Sequence, residues 1–359
     1  IKAIEQKEFK LRKNSFSLMQ SAGEKCADYI SSNVARNKEV LVICGPGNNG
    51  GDGFIIGNDL LNKGYKVKIF LTHSLKNKKR DNYKAFKRLD CEVFNLKDLH
   101  KELKKKTKPI IVDCIFGTGL NKNVNSSIKN IIKAINKKKA FIYSIDIPTG
   151  VSSDNGKVMG EALKANITLA LHCKKIGHVL FPGVYFSGLI KVLDIGIRKS
   201  LNKIVNNRIK ENNPNLWINK KFPWKKYNSH KYSRGRVYIY GSLKNYIGAS
   251  LLSSSAAIRC GAGSVTVVAN KDTIDKYNQR FFSLLKIEIN SKEELKNFLN
   301  DSSITSFLIG PGAGVNQQTI DNVKLISKFF SIYLASERIP KASNGSSGLQ
   351  VVVNAVSLR

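Results

Sequence analysis

The chain has 359 residues, of which 42% are hydrophobic and 24% are charged. At roughly 100–200 residues per domain this length predicts two domains, and the composition excludes a wholly disordered protein. No apolar run approaches the roughly 18 residues of a membrane-spanning helix, and residues 1–13 are too polar for a signal-peptide core. We therefore expect a cytoplasmic protein with no membrane partner.

Lysine and arginine number 60 against 26 acidic residues, so the formal net charge is +34. Such an excess suggests nucleic-acid binding, but lysine far outnumbers arginine and is spread along the chain among asparagine and isoleucine. That pattern is typical of compositional drift on solvated surfaces, whereas specific nucleic-acid binding favours arginine interleaved with aromatic residues. We expect weak adsorption to nucleic acid at low salt and no specific nucleic-acid partner.

In chain order, the first half alternates between helix and strand patterns. Strands that alternate with helices predict a parallel sheet covered by helices on both faces. Gly64 stands where a glycine commonly ends a helix. Helices are predicted for residues 16–30, 53–63, 78–89 and 126–136, and strands for residues 40–44, 67–71, 110–114, 140–145, 167–171 and 189–195.

The apolar periodicity fades over residues 198–228 and resumes beyond them. In this second region we predict strands at residues 237–240, 264–269 and 306–309, and a helix of small residues at 248–260. The chain is therefore divided into a first domain, a linker and a second α/β domain, which cover residues 1–205, 206–228 and 229–359.

The six cysteines form no CxxC pair, and Cys44 and Cys114 lie in apolar runs. We therefore expect buried, reduced thiols. His172, Cys173 and His178 are close in sequence, but a structural zinc site usually needs four ligands, so zinc is not expected.

The strongest local signal is GPGNNGGDG, residues 45–53, which follows a predicted buried strand and precedes a helix. Glycine tolerates φ > 0 and lets backbone N–H groups approach a ligand, and a helix N-terminus favours a phosphate. Asn48, Asn49 and Asp52 add oxygens for a cation or a ligand hydroxyl. The block predicts a phosphate or nucleotide loop, with a plain tight turn as the alternative; it matches neither the Walker A pattern nor GxGxxG.

Two aspartates stand at predicted strand ends. Asp113 lies near the end of the strand IIVDC and precedes Phe116-Gly117-Thr118-Gly119, and Asp146 directly follows the strand FIYSI. Ligands of parallel α/β proteins bind outside the carboxyl ends of the strands, so these two segments and the glycine block should converge on one edge. The alternative for each aspartate is a helix cap or a turn former.

GPGNNGGDG, VDCIFGTGL (112–120) and IDIPTG (145–150) together resemble the NAD(P)HX epimerase family, the YjeF N-terminal domain. LMQSAG (18–23), KKIGH (174–178), FPG (181–183) and DIGI (194–197) extend the resemblance over roughly residues 10–198. It implies a Rossmann-like three-layer αβα domain that interconverts the R and S epimers of hydrated NADH or NADPH, whose reduced ring carries a hydroxyl at C6. It also implies a bound potassium ion and a homo-oligomer.

The resemblance assigns roles to individual residues. Asp146 contacts the reacting ring and is our candidate acid/base group, with a turn-fixing carboxylate as the alternative. Thr149 stands where serine is more usual and keeps the hydroxyl. The implied potassium ligands are Asn49, Asp113 and Thr149. The implied substrate contacts are Asn48, Asn49, Gly50, Gly51 and Asp52, then Gly117, Thr118, Gly119, Leu120, Asn121, Lys122 and Asn123 around the phosphates.

The second half resembles the NAD(P)H-hydrate dehydratase family, which has a ribokinase-like fold. The motifs are HKYSRGRV (230–237), IGAS (247–250), CGAGSV (260–265) and IGPGAG (309–314). The resemblance implies that Ala249 and Gly314 contact the hydrated nucleotide and that an intact domain uses ADP or ATP. The family's later motifs do not follow Gly314, so we expect a truncated domain that lacks dehydratase activity.

Two further hypotheses compete with nicotinamide-nucleotide repair. The first is a non-catalytic RNA- or protein-binding scaffold on the same N-terminal fold, which the positive charge would suit. A scaffold has no need of Asn49, Asp113 and Asp146 together, and these are intact. The second is a dinucleotide dehydrogenase, which the absence of GxGxxG disfavours.

Overall fold

The computed structural model describes residues 2–12, 14–73, 80–198, 200–201, 209–219, 224, 227–241, 245–278, 284–301, 304 and 306–329. The chain divides into two compact units, residues 1–210 and 211–359, and each is described by itself. Of the linker that we predict at residues 206–228, the structure describes residues 209–219, 224 and 227–228. No helix in the described ranges is long and apolar enough to cross a membrane.

The first unit is built on a seven-stranded sheet in which all neighbouring strands are parallel, in the order β3-β2-β1-β4-β5-β6-β7. The central strands β1 and β4 are apolar and buried, as expected for a sheet covered on both faces. The strands are β1 (Glu39–Cys44), β2 (Lys66–Leu71), β3 (Val93–Asn95), β4 (Ile110–Cys114), β5 (Phe141–Ile145), β6 (Ile167–Leu171) and β7 (Leu189–Leu193).

Helices cover both faces of this sheet and give it three layers. Alternate residues of β1 belong to two separate core clusters: Val40 and Val42 pack with α2 and α3, and Leu41 and Ile43 pack with α5 and α6. The predicted three-layer αβα domain is confirmed. Its helices are α1 (Lys2–Arg12), α2 (Phe16–Asn33), α3 (Asn48–Asn62), α4 (Asp81–Phe86), α5 (Leu96–Lys104), α6 (Ser126–Lys137), α7 (Ile176–Val179) and α8 (Gly183–Ser187).

Helix α3 begins at Asn48, so the start that we predict at residue 53 is wrong. None of the five glycines of the block has a positive φ, and four of them serve close packing instead, since a Cβ would fit without a contact only at Gly47. A Cβ at Gly50 would lie 2.0 Å from the carbonyl oxygen of Gly45, and one at Gly53 would lie 2.7 Å from the sulfur of Cys44. Gly64 does have a positive φ, of 86°, as its predicted position at the helix end requires.

Other local predictions need correction. The basic helix predicted at residues 78–89 is shorter in the described part of the chain, where α4 covers six residues. Helix α1, strand β3 and helix α5 are not predicted; β3 has only three residues, none of them buried, so it carries little apolar signal. Four cysteines are buried as expected, but Cys173 is half-buried and Cys260, just after α9 (Ile247–Arg259), is exposed.

The second unit carries a four-stranded sheet, again with parallel neighbours, in the order β10-β9-β8-β11. The α/β prediction for this half is confirmed. Its strands are β8 (Arg236–Tyr240), β9 (Ser264–Ala269), β10 (Leu285–Glu288) and β11 (Ser306–Leu308), and its further helices are α10 (Lys271–Asn278), α11 (Lys292–Leu299) and α12 (Gln317–Ile326). We predict neither β10 nor α10, α11 and α12 from the sequence.

Candidate active site

A cavity of about 500 Å³ opens at the carboxyl ends of the central strands of the first unit. This is where parallel α/β proteins bind ligands, because the loops that follow neighbouring strands meet there. One wall is apolar and comes from α2 and the ends of β6 and β7; its residues are Leu18, Met19, Ala22, Leu171 and Ile195. The polar part of the lining comes from α1 and from the loops after β1, β4 and β5.

The structure brings many of the predicted site residues together around this cavity. Gly50 and Gly51 are buried inside α3 instead, where Gly51 packs against Met19. The exposed residues 121–123 are not among those that line the cavity, and Ala249 and Gly314 belong to the second unit. The predicted residues that do line it are Asn48, Asn49, Asp52, Gly117, Thr118, Gly119, Leu120 and Asp146.

Asp113 joins the loop after β4 to the loop after β5. Its carboxylate is fully buried and accepts four hydrogen bonds. Thr149 Oγ1 (2.6 Å) and Ile115 N (3.2 Å) donate to Oδ1, and Ser144 Oγ (2.9 Å) and Thr149 N (2.9 Å) donate to Oδ2. All four donors are neutral. Burial raises the pKa of Asp113, as expected for an anion without a cationic partner.

Asn49 stands out because its side chain is buried and both of its polar atoms lack a hydrogen-bond partner in the described structure. Leaving a buried amide unpaired costs about 1–3 kcal/mol, so native proteins rarely do so without a ligand. The side chain lies next to Gly117, where an added Cβ would be 3.5 Å from Asn49 Cγ and 3.0 Å from Asp146 Oδ2. Asn49 and Asp146 therefore flank the same short stretch of loop.

Asp146 adopts a left-handed backbone conformation, with φ = 69°. Such a conformation is uncommon for a residue other than glycine, and it is found preferentially at functional sites. Its Oδ2 accepts a hydrogen bond from Thr118 N (3.2 Å), and its Oδ1 forms an ion pair with the buried ammonium of Lys175. The carboxylate thus stands between the cavity and a buried lysine.

His178 supports Asp146 from the backbone side. Its Nδ1 accepts a hydrogen bond from Lys175 N (3.1 Å), so the ring proton resides on Nε2, which donates to the carbonyl oxygen of Asp146 (2.8 Å). Burial, with the neighbouring positive charge of Lys175, lowers the pKa of His178 to about 4. The neutral ring is thereby fixed in one tautomer.

This lowered pKa predicts a pH-dependent stability. The folded pKa is about 4 and the ordinary value is 6.5, so the unfolded chain binds more protons between these values and the stabilisation is lost as pH falls from about 6.5 to 4. The difference in unfolding free energy between the wild type and His178→Gln should shrink by about 3 kcal/mol from pH 7 to pH 4. Urea unfolding followed by circular dichroism measures this difference, and a difference that stays constant with pH would contradict a buried His178 ring with a lowered pKa.

Two charged groups at the site are not predicted from the sequence. Glu5 reaches the cavity from α1, and burial, reinforced by the charge of Asp146, raises its pKa. The local sequence around Glu5 carries no site pattern. Lys175 lies within KKIGH, a motif that supports the family resemblance but does not by itself assign the lysine a role.

Asp52 is a site residue that the glycine block does predict, and its pKa is also shifted. Burial raises the pKa of Asp52 well above its ordinary value, with the charges of Asp146 and Glu5 adding to the shift. Of the carboxyl groups that line the cavity, Glu5 and Asp52 therefore lie close enough to Asp146 for its charge to raise their pKa values.

The fold and the cavity together identify the first unit as a doubly wound parallel α/β domain. Its ligand-binding site is lined by polar residues at the carboxyl ends of the strands. The family model for the N-terminus of YjeF-related proteins matches residues 15–177, and that for NAD(P)H-hydrate dehydratase matches residues 237–331. A protein named NAD(P)H-hydrate epimerase from Oenococcus oeni is 35% identical over 48% of this chain and 81% of its own. The chain belongs to this NAD(P)H-hydrate epimerase family.

Longer relatives match both units. A bifunctional NAD(P)H-hydrate repair enzyme from Moorella thermoacetica is 28% identical over 86% of this chain and 62% of its own. One of the same name from Dictyoglomus turgidum is 32% identical over 78% of this chain and 57% of its own. The chain therefore spans about three fifths of the length of these curated relatives. A crystal structure of a yeast protein aligns with 45% of this chain and 72% of its own, at 26% identity and a TM-score of 0.40.

Proposed function

We propose that the first unit epimerises hydrated NADH or NADPH at C6 of the reduced ring. The observation that carries this proposal is the convergence of Asp146 with the loops after β1 and β4 around one cavity. One relative that matches this unit is named NAD(P)H-hydrate epimerase, and a longer one is named bifunctional NAD(P)H-hydrate repair enzyme. The scaffold alternative gives no reason for a strained aspartate and an unpaired buried amide at the same cavity.

The phosphates of the substrate would bind at the start of α3 and along the loop after β4. Helix α3 has 15 residues, and its first residue, Asn48, lies at the cavity, so the exposed N–H groups and the helix dipole favour a phosphate there. The loop after β4 adds the backbone N–H groups of Gly117 and Gly119, since those of Thr118 and Leu120 already donate to Asp146 Oδ2 and Gly117 O. The exposed residues 121–123 would contact the part of the dinucleotide that extends beyond the cavity.

The reacting ring would lie against Asp146. Inverting C6 requires the hydroxyl to leave and return, or the ring to open and close, and either route needs a proton to be removed and delivered. The Asp146 carboxylate can accept it. Burial raises the pKa of Asp52, which favours its protonated form. In the first route Asp52 would give a proton to the hydroxyl, which leaves as water, and Asp146 would take a proton from the water that adds to the other face of C6. The apolar wall from α2 would exclude water from the ring.

Potassium fits the residues proposed to hold it, which are Asn49, Asp113 and Thr149. The Asn49 amide oxygen has no partner in the described structure and would bind the ion directly. The buried Asp113 carboxylate already accepts four hydrogen bonds, all from neutral donors, so it would balance the charge of the ion unless a donor moves. Buried carboxylates are stabilised by pairing or by metal coordination, and hard cations prefer such oxygen ligands. When bound, the ion supplies positive charge at the junction of the three loops.

We propose that the second unit derives from an ADP- or ATP-dependent dehydratase. The dehydratase family model matches residues 237–331, and Gly310, Gly312 and Gly314 all have positive φ, which only glycine adopts easily. Ala249 and Gly314 remain the proposed contacts with the hydrated nucleotide there.

The test of the main proposal is the conversion of purified R-NADHX by the full chain, in potassium buffer without ADP or ATP. Chromatography should show the S epimer forming faster than in the absence of protein. A folded protein that leaves the rate unchanged would overturn the proposal, and binding of RNA at physiological salt would then support the scaffold.

The potassium site makes a separate prediction. Potassium at 100 times its dissociation constant should stabilise the wild type by about 2.7 kcal/mol relative to the unbound protein, whereas lithium at the same ionic strength should not. Asn49→Leu removes the unpaired amide and should lose the difference between the two salts. Thermal unfolding in matched chloride buffers measures it. Equal midpoints for the wild type in both salts would contradict the site.

A further inference from the structure

The segment KKIGH, residues 174–178, surrounds Asp146 from the side opposite the cavity. The Lys175 side chain is only 3% exposed, and it does not line the cavity. Its ammonium forms the ion pair with Asp146 Oδ1 and donates a second hydrogen bond, of 2.8 Å, to the carbonyl oxygen of Leu171. Lys175 therefore contacts the carboxylate without reaching the space where a substrate would lie.

Every polar atom of Asp146 has a protein partner. Its N–H donates to Leu169 O (2.8 Å), its carbonyl accepts from His178 Nε2 (2.8 Å), Oδ2 accepts from Thr118 N (3.2 Å), and Oδ1 pairs with Lys175. A carboxylate has about four lone-pair sites, and two are used here. The remaining ones are available on the cavity side, where 12% of the side chain is exposed.

The same segment also holds the backbone of Asp146. His178 links the N–H of Lys175 to the carbonyl of Asp146 through a single imidazole ring. The left-handed backbone at Asp146 persists only where its surroundings enforce it. Lys175 thus holds the carboxylate of Asp146, and His178 holds its peptide group.

We propose that Lys175 is a positioning residue for the reaction at Asp146, holding the carboxylate from behind so that its unused lone pairs face the reduced ring. This inference rests on the proposed epimerase function. Lys175 acts through Asp146 and does not bind substrate. A misplacement of about 1 Å in a reacting group can cost on the order of 100-fold in rate. Loss of the ion pair between Lys175 and Asp146 should therefore lower the reaction rate strongly.

The test compares Lys175→Met, which removes the ammonium, with Lys174→Met, its exposed neighbour in the same segment. In the full chain, Lys175→Met should lower kcat for R-NADHX by about 10- to 100-fold while KM changes less than about threefold. Lys174→Met should keep both constants. Lys175→Arg retains a cation at the site and should recover at least a tenth of the wild-type kcat.

Each alternative outcome has a distinct meaning. A folded Lys175→Met variant with wild-type kcat would overturn the inference, and a raised KM with unchanged kcat would make Lys175 a substrate-binding residue instead. Since removing one partner of a buried ion pair can prevent folding, Lys175→Arg provides the second test. A folded Lys175→Arg variant with no activity above that of Asp146→Asn would also overturn the inference.

A readout that does not depend on activity separates this inference from the proposed function. The Thr118 amide donates to Asp146 Oδ2, so hydrogen exchange in the peptide containing Thr118 should become faster in Lys175→Met and stay unchanged in Lys174→Met. If the wild type fails to convert R-NADHX, the proposed function fails, and the exchange result still decides the positioning. Unchanged exchange at Thr118 in a folded Lys175→Met variant would overturn it.

Discussion

Asp146→Asn should lower the rate of R-NADHX epimerisation by at least about 100-fold, because it removes the group that we propose accepts the proton. Asparagine has nearly the same shape, and its side-chain oxygen can still accept the hydrogen bond from Thr118 N. Its amide has no basic lone pair, and it cannot form the ion pair with Lys175. The loss should therefore appear in kcat, with a smaller change in KM.

The matched control is Asp154→Asn, which changes an exposed aspartate a few residues downstream that does not line the cavity. Its rate should equal that of the wild type. Because Asp146→Asn leaves the buried Lys175 without its anion, thermal unfolding must show that the variant is folded at the assay temperature. A folded Asp146→Asn variant with more than a tenth of the wild-type rate would show that another group moves the proton.

Gly50→Ala should destabilise the first unit by about 3 kcal/mol, the upper end of the usual cost of overpacking. Helix propensity alone gives the opposite sign, since alanine is favoured over glycine in helices by roughly 0.5–1 kcal/mol. We expect the packing clash to outweigh the gain in helix propensity, so the substitution should destabilise the protein. A Cβ at Gly50 would lie 2.0 Å from the carbonyl oxygen of Gly45, which is backbone and cannot rotate away. Helix α3 would have to move off the sheet.

Gly47→Ala is the matched control, because a Cβ at Gly47 meets nothing within 4 Å and its φ is −100°. Because Gly47 is the N-cap of α3, where glycine is preferred to alanine, the change should cost about 1 kcal/mol or less, well below the cost at Gly50. Urea unfolding of both variants, followed by circular dichroism, measures the difference. Equal stabilities would mean that the glycine block does not serve close packing and would restore the ligand-loop explanation for Gly50.

The strand pattern of the first unit is predictable because its central strands are buried on both faces and form short, continuous apolar runs. Strands β1 and β4 are the clearest cases, and they lie side by side at the centre of the sheet. Strand β3, with three unburied residues, and helix α1, which is charged along its length, carry no comparable signal. Elements of this kind are fixed by tertiary contacts.

The candidate site is predictable where a residue type is unusual for its position. Asparagine and aspartate inside a glycine block, and aspartates at the ends of apolar strands, indicate Asn49, Asp113 and Asp146 from the sequence alone. The helix start at Asn48 is not predictable, because glycine is a poor helix former and its packing role appears only when β4 and α2 are in place. Glu5 and Lys175 act across long sequence separations, which no local pattern reveals.

The most direct test of the epimerase function begins from both pure epimers. The wild type in potassium buffer, without ADP or ATP, should bring R-NADHX and S-NADHX to the same final ratio, and Asp146→Asn should follow the uncatalysed rate in both directions. Chromatography of the two time courses provides the measurement. If the folded wild type leaves both epimers at their uncatalysed rates, or converts only one of them, the cavity at the carboxyl edge of the sheet does not perform epimerisation.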